Sequence, residues 1–188
     1  MRIFISGGCK NGKSYYAQHL ALAQQPAKKA LYYIAAMKPV DDEDKQRIAK
    51  HRQDREGWGF TTIEQPVDME KILDICSHNH SFLFDSLTAL LANEMFLPND
   101  LVNEQAARKI TGALQQIFDR IQNIVIVSDY IYSDAFLYDP LTENYRKSLA
   151  EIDRMAAGNC DVVLEIAYAN LIVHKGKKLF GELFEKIP

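Results

Sequence analysis

The run Gly7-Gly8-Cys9-Lys10-Asn11-Gly12-Lys13-Ser14 satisfies the spacing G-x-x-x-x-G-K-[ST] in full. In that pattern Gly7, Gly8 and Gly12 permit a loop whose backbone comes close to a phosphate, and the N–H groups through Cys9, Lys10 and Asn11 point at the anion. Lys13 then places a point charge on the β- and γ-phosphates, and Ser14 offers a hydroxyl to Mg²⁺. The bland alternative is a glycine-rich turn that binds nothing. Against it stands the context, because the run follows the apolar segment Arg2–Ser6 and opens a stretch with helical spacing at Ala17, Leu20 and Ala21.

Phosphate chemistry of this kind needs a second carboxylate near the metal, at the end of a neighbouring strand. Asp85 has that place, closing Ser81-Phe82-Leu83-Phe84-Asp85 ahead of Ser86-Leu87-Thr88. Its other reading is an ordinary helix cap. A third feature is a charged segment, with Asp41-Asp42-Glu43-Asp44 preceding Lys45 to Arg55, acids first and bases after, as a helix macrodipole favours. Four-residue spacing puts Arg47, His51 and Arg55 on one face, flanked by Lys50 and Arg52. A histidine among such cations has its pKa lowered, so it stays neutral and nucleophilic near pH 7. The arginines can hold phosphate oxygens through forked hydrogen bonds. The alternative is a solvated surface helix with an incidental histidine.

The elements that must position these groups read as alternating strand and helix. Short β-rich runs fall at Arg2–Ser6, Leu31–Ala35, Phe60–Glu64, Phe82–Asp85, Ile124–Ser128, Val162–Ile166 and Asn170–His174, and several are apolar without alternation. Strands buried on both faces of a parallel sheet read this way. Helical spacing covers Lys13–Gln24, Asp41–Arg55, Met69–Ser77, Leu87–Glu94, Asp100–Gln122 and Thr142–Ala157. The prediction is a three-layer α/β P-loop NTPase-like domain, mostly parallel, with helices on both faces and the last two strands forming an antiparallel edge hairpin. Asp134–Tyr145 is the least regular stretch and reads as a loop over a site or a long connection.

A length of 188 residues, with 47% hydrophobic, suits one domain spanning 1–188. With 22 basic against 25 acidic residues, the net charge of −3 argues against a nucleic-acid partner. The longest apolar run, Ala30–Met37, is too short to span a bilayer, and no signal-peptide apolar region precedes Gly7. Cys9, Cys76 and Cys160 form no metal or disulfide spacing, which fits the cytoplasm. Cys9 would be reactive at a helix N-terminus. The pair in His78-Asn79-His80 reads as a polar turn in preference to a metal site, and His19 and His174 as structural.

Taken together these residues resemble the bifunctional adenosylcobinamide kinase and adenosylcobinamide-phosphate guanylyltransferase family of cobalamin biosynthesis. The resemblance rests on Gly7–Ser14, Tyr33-Ile34-Ala35-Ala36, Arg47-Ile48-Ala49-Lys50-His51 followed by Trp58 and Thr62-Ile63-Glu64, and Asp85-Ser86-Leu87-Thr88 with Asn93. The Arg-Ile-x-x-His element is the distinguishing one. The likeness implies that ATP or GTP phosphorylates adenosylcobinamide, and that His51 then takes GMP from GTP as a phosphoramidate and passes it to adenosylcobinamide phosphate. It implies Lys13, His51 and Asp85 as catalytic groups, with Ser14 and Asp85 at Mg²⁺. It also implies a nucleotide site that includes Ala35, Ala36, Met37, Arg52, Gln53, Asp54, Arg55, Glu64 and Asp85, and a homotrimer. The second half differs from the family pattern. Val127-Ser128-Asp129-Tyr130-Ile131-Tyr132 stands where the family carries Val-Ser/Thr-Asn-Glu-Val-Gly, and Asp153-Arg154 replaces Asn-Gln. Two rivals are a P-loop kinase of another small alcohol and a nucleotide-binding regulatory module.

Overall fold

The computed structural model describes residues 1–8, 10–39, 41, 42, 46, 48, 49, 52, 53 and 55–185. In chain order the elements are β1 (Arg2–Gly7), α1 (Lys13–Ala23), β2 (Leu31–Ala35), β3 (Phe60–Glu64), a 3-10 turn (Met69–Lys71) running into α2 (Ile72–Ile75), and β4 (Ser81–Asp85). After them come α3 (Leu87–Met95), β5 (Phe96–Leu97), β6 (Leu101–Val102), α4 (Ala106–Arg120), β7 (Asn123–Val127), α5 (Pro140–Asn159), β8 (Val162–Ala167), β9 (Asn170–Lys175) and α6 (Lys177–Phe184). Asp42, Gln46, Ile48, Ala49, Arg52 and Gln53 are also helical.

Seven strands form one sheet in the order β3-β2-β4-β7-β1-β8-β9. All neighbours are parallel except β8 and β9. The apolar runs become the central strands because both of their faces are covered. On one face Ile3 and Ile5 of β1, Leu83 of β4 and Val125 of β7 pack with Ala17, Leu20 and Ala21 of α1 and with Phe180 and Leu183 of α6. On the other, Phe4, Phe82, Phe84, Ile124 and Ile126 pack with α2, α3, α4 and α5. The result is three layers with the sheet in the middle.

The edge hairpin forms as the sequence predicts, and its turn is tight. Ala167 pairs with Asn170, leaving Tyr168 and Ala169 as the two turn residues, both left-handed at φ 51° and 61°. Two left-handed residues give the turn a twist that matches the strands. Three departures from the predicted elements occur elsewhere. The helix read from Asp100 starts at Ala106, because residues 96–102 form the small antiparallel ladder β5–β6. The segment Met69–Ser77 is a 3-10 turn followed by a four-residue helix. The helix α6 closes the chain's described part and was not expected. Ordered register matters most for the site: Ala35 pairs with Asp85, Asp85 with Val127, and Val127 with Ile5, so the strand ends lie level along one edge.

Candidate functional site

The phosphate-type loop occupies that edge, between β1 and α1. Its first glycine is fixed by space: a Cβ on Gly7 would run into the Ile166 carbonyl oxygen, since β1 and β8 are in register there. Gly12 caps α1 in the left-handed region at φ 85°, a conformation that costs glycine little. Asn11 ties the loop to β8, its Nδ2 donating to the Ile166 carbonyl at 3.0 Å. Lys10 is exposed, and Ser14 lies in the first turn of α1. Cys9 lies outside the described residues.

Lys13 is 7% exposed and folds back over its own loop. Its ammonium donates to the carbonyls of Gly7 at 3.0 Å and Gly8 at 2.6 Å, and pairs with Asp129 Oδ1 at 2.8 Å. Asp129 follows the end of β7, which lies between the loop strand β1 and the Asp85 strand β4. Its backbone N–H donates to Thr88 Oγ1 at 2.8 Å, and the next N–H, of Tyr130, donates to the Gly7 carbonyl at 3.0 Å.

A second group lies at the ends of β2 and β4. Tyr33 donates its hydroxyl to Asp85 Oδ2 at 2.7 Å. Burial pushes the Tyr33 phenol well above its ordinary pKa, and the Asp85 charge adds to the rise while the Arg55 charge opposes it. The Arg55 guanidinium carbon sits 3.5 Å from the centroid of the Tyr33 ring. Arg55 is itself 7% exposed, yet its Nε and Nη1 have no hydrogen-bond partner among the described residues. A buried guanidinium with unused donors is costly unless an anion meets it.

Of the other residues singled out by sequence, Ala36 donates its N–H to the Asp85 carbonyl at 3.0 Å, while its own carbonyl accepts from Asn93 Nδ2 at 2.8 Å. Ala35 ends β2 and accepts from the Gln65 N–H at 2.9 Å; Met37 follows directly. Glu64, opposite Ala35 at the end of β3, pairs with Arg52, and both are exposed, as is Gln53. The strand ends therefore bring Gly7, Gly8, Gly12, Lys13, Ala35, Ala36, Glu64 and Asp85 to one edge, with Arg55 stacked beside them. His51 lies outside the described residues, and so do Arg47, Lys50 and Asp54.

Tyr33, Thr88 and Asp129 belong to this site by contact but were not picked out as site residues. Asp129 carried the same signal as Asp85, an acid just past an apolar strand. Behind it lies Asp153, 2% exposed, whose Oδ2 accepts from the Tyr132 hydroxyl at 3.0 Å. Burial pushes the Asp153 carboxyl up to about 7; the Tyr132 hydroxyl pulls it back, and the Asp129 charge adds to the rise. The remaining histidines serve local structure. His19 Nδ1 lies 2.9 Å from the Tyr15 carbonyl, His78 Nε2 lies 2.9 Å from the Leu73 carbonyl, and His80 Nδ1 accepts from the Ala30 N–H at 2.7 Å. His174 meets Glu165 at 2.7 Å on the exposed side of the edge hairpin.

Ser14 and Asp85 are both hard oxygen donors of the kind Mg²⁺ takes. The helix that starts at Lys13 packs its buried side against β4 and β7, which brings the Ser14 helix and the Asp85 strand together. In their chemistry these two oxygen donors fit Mg²⁺. Among the described residues no helix is long and apolar enough to cross a membrane.

The same fold occurs in a solved KaiC-like protein from Pyrococcus horikoshii OT3, with a TM-score of 0.52 over 93% of this chain and 78% of that one, at 11% identity. At the sequence level the chain is 33% identical over 99 residues to the bifunctional adenosylcobalamin biosynthesis protein CobU of Escherichia coli (strain K12), covering 51% of each. It is 35% identical over 94 residues to the bifunctional adenosylcobalamin biosynthesis protein CobP of Pseudomonas aeruginosa, covering 50% of this chain and 52% of that protein. The match thus spans about half the length of each of these two relatives. Residues 3–170 match the family model described as cobinamide kinase / cobinamide phosphate guanyltransferase, and the chain belongs to that family.

Proposed function

We propose that this chain phosphorylates adenosylcobinamide with ATP or GTP and then guanylylates the product with GTP. The observation that carries the reading is that two buried cations lie at one edge of the sheet, Lys13 paired with Asp129 and Arg55 on the ring of Tyr33. Lys13 is seated in the phosphate-type loop, and Arg55, whose Nε and Nη1 have no hydrogen-bond partner among the described residues, is stacked on the Tyr33 ring whose hydroxyl meets Asp85. That arrangement suits a triphosphate, and the family supplies the acceptor.

In the first reaction the acceptor hydroxyl attacks the γ-phosphorus and gives its proton to solvent, the bond to the β-phosphate oxygen breaks, and the nucleoside diphosphate leaves. Lys13 holds the β- and γ-phosphates in line, and the loop N–H groups take up charge as it shifts toward the leaving group. Bound Mg²⁺, held by Ser14 and Asp85, would neutralise part of the phosphate charge. Tyr33 fixes the carboxylate orientation from behind, as supporting hydrogen bonds do at metal sites.

In the second reaction a neutral His51 nitrogen attacks the α-phosphorus of GTP. A nitrogen–phosphorus bond forms, the bond to the β-phosphate oxygen breaks, and pyrophosphate leaves. A phosphate oxygen of adenosylcobinamide phosphate then attacks the same phosphorus, and the imidazole is released to give adenosylcobinamide-GDP. Support for His51 comes from its place in the Arg-Ile-x-x-His element, followed by Arg52 and Arg55. The test is to supply adenosylcobinamide with GTP and Mg²⁺ and follow the corrinoid by mass. Phosphorylated and then guanylylated corrinoid is the expected result; an unmodified corrinoid, with nucleotide binding intact, would refute the reading.

A further inference from the structure

An ammonium has three N–H donors, and all three of Lys13's are occupied: by the Gly7 carbonyl, the Gly8 carbonyl and the Asp129 carboxylate. A phosphate therefore cannot bind Lys13 by simple addition. It must displace at least one of these partners. The two carbonyls belong to the loop that would wrap the phosphate. Asp129 follows a different strand, β7, and is held from behind by the Thr88 hydroxyl at its own N–H and by the Tyr130-to-Gly7 bond beyond it.

We propose that Asp129 is an internal stand-in for the phosphate, a positioning residue that holds Lys13 in the nucleotide-free protein and must give it up when a polyphosphate arrives. Two consequences follow from the contacts. Without a ligand, Asp129 neutralises a lysine that burial would otherwise leave uncompensated, and so keeps the loop in order. With a ligand, the same carboxylate lies within one side chain's reach of a polyanion and repels it. Asp129 thus trades nucleotide affinity for order in the unliganded loop, and it favours release of the spent nucleotide by retaking Lys13. This rests on the reading that Lys13 meets the phosphates.

The experiment measures binding of inorganic tripolyphosphate, and separately of GTP, by calorimetry in the presence of EDTA. The proteins are the wild type, Asp129→Asn, Asp129→Ser and Lys13→Ala. Asparagine keeps an oxygen acceptor for Lys13 and removes the charge. Expected is a roughly three- to tenfold tighter Kd for tripolyphosphate in both Asp129 variants, the effect of one like charge at close range in a partly solvated site. The unliganded variants should melt lower than wild type, while the gap between free and tripolyphosphate-bound melting temperatures widens. A carboxylate with only a structural role would lower both melting points together and leave the gap unchanged. Equal or weaker binding in both Asp129 variants, with Lys13→Ala binding poorly, overturns the stand-in role and leaves the phosphate site standing. Wild-type binding by Lys13→Ala overturns the phosphate site itself, and the stand-in with it.

Discussion

The Tyr33 hydroxyl donates to Asp85 Oδ2 at 2.7 Å across the β2–β4 pair, and the Arg55 guanidinium covers a face of the same ring. One buried aromatic side chain thereby links an acid to a cation that are far apart in sequence. Its phenol cannot ionise near neutral pH, because burial and the neighbouring carboxylate both hold the proton on. Tyr33 is therefore a fixed donor to Asp85.

Replacing Tyr33 with Phe keeps the ring under Arg55 and removes only the donor. Asp85 then loses that hydrogen bond, and the Mg²⁺ concentration that half-saturates phosphoryl transfer should rise by about tenfold, the low end of what loss of a supporting hydrogen bond costs a metal site. A magnesium titration of kinase turnover reads this directly. An unchanged midpoint would mean that Asp85 does not need Tyr33, or does not serve the metal.

The edge hairpin yields a prediction about stability. Ala169 adopts φ 61° in a two-residue turn, where its Cβ is disfavoured and glycine is not. Ala169→Gly should raise the free energy of unfolding by about 0.5–1 kcal/mol, the relief of strain exceeding glycine's extra freedom in the unfolded chain. Urea melts of the two proteins decide it, and a lower midpoint for the glycine variant would count against a strained turn.

How far the sequence could be read depended on whether a feature was local. The central strands were legible because both faces are buried, so Ile124 to Val127 or Phe82 to Phe84 show as continuous apolar runs. The loop Gly7–Ser14 was legible because its chemistry is contiguous. The ladder β5–β6 was not, since two-residue strands have no periodicity to detect. Nor was α6, which starts at a glycine cap with no capping side chain. The contacts at the site were hidden for a different reason. Asp129 meets Lys13 only because β7 is inserted between β4 and β1, and that order is a property of the sheet, absent from any single segment.

Asp153 should make the folded protein less stable as pH rises. Its carboxyl is raised from 3.8 to about 7 in the folded state, mainly by burial. Between those values the unfolded chain releases the proton while the folded chain keeps it, so the unfolded state binds fewer protons and unfolding becomes easier with rising pH. The loss is complete above about pH 7, where both states are ionised, and amounts to a few kcal/mol at most. Asp153→Asn retains an acceptor for Tyr132 and cannot ionise. Its stability should be flatter from about pH 4 to pH 7 than that of wild type, and higher than wild type at about pH 8. Matching pH slopes in the two proteins would show that this carboxyl is not the group responsible.

The last prediction separates the two proposed reactions. His51→Ala should abolish covalent guanylylation and leave phosphorylation of adenosylcobinamide within a few-fold of wild type, because the two chemistries draw on different groups. In the proposed reading, transfer of the γ-phosphate would use the loop, Lys13 and Asp85, none of which needs an imidazole. Transfer of GMP through the enzyme needs a nucleophile, and His51 is followed by Arg52, which pairs with Glu64 at the end of β3, and by the buried Arg55. Those cations can steady the triphosphate while pyrophosphate leaves. Incubation with α-labelled GTP and Mg²⁺ alone isolates the first half-reaction, so no corrinoid is needed and a weak acceptor site cannot mask the result. The label on wild type should be labile to acid and stable to alkali, as a phosphoramidate is, and should map to the peptide containing His51. Equal labelling of the alanine variant, or label mapped to Lys50, would end the histidine mechanism while leaving the kinase reading intact.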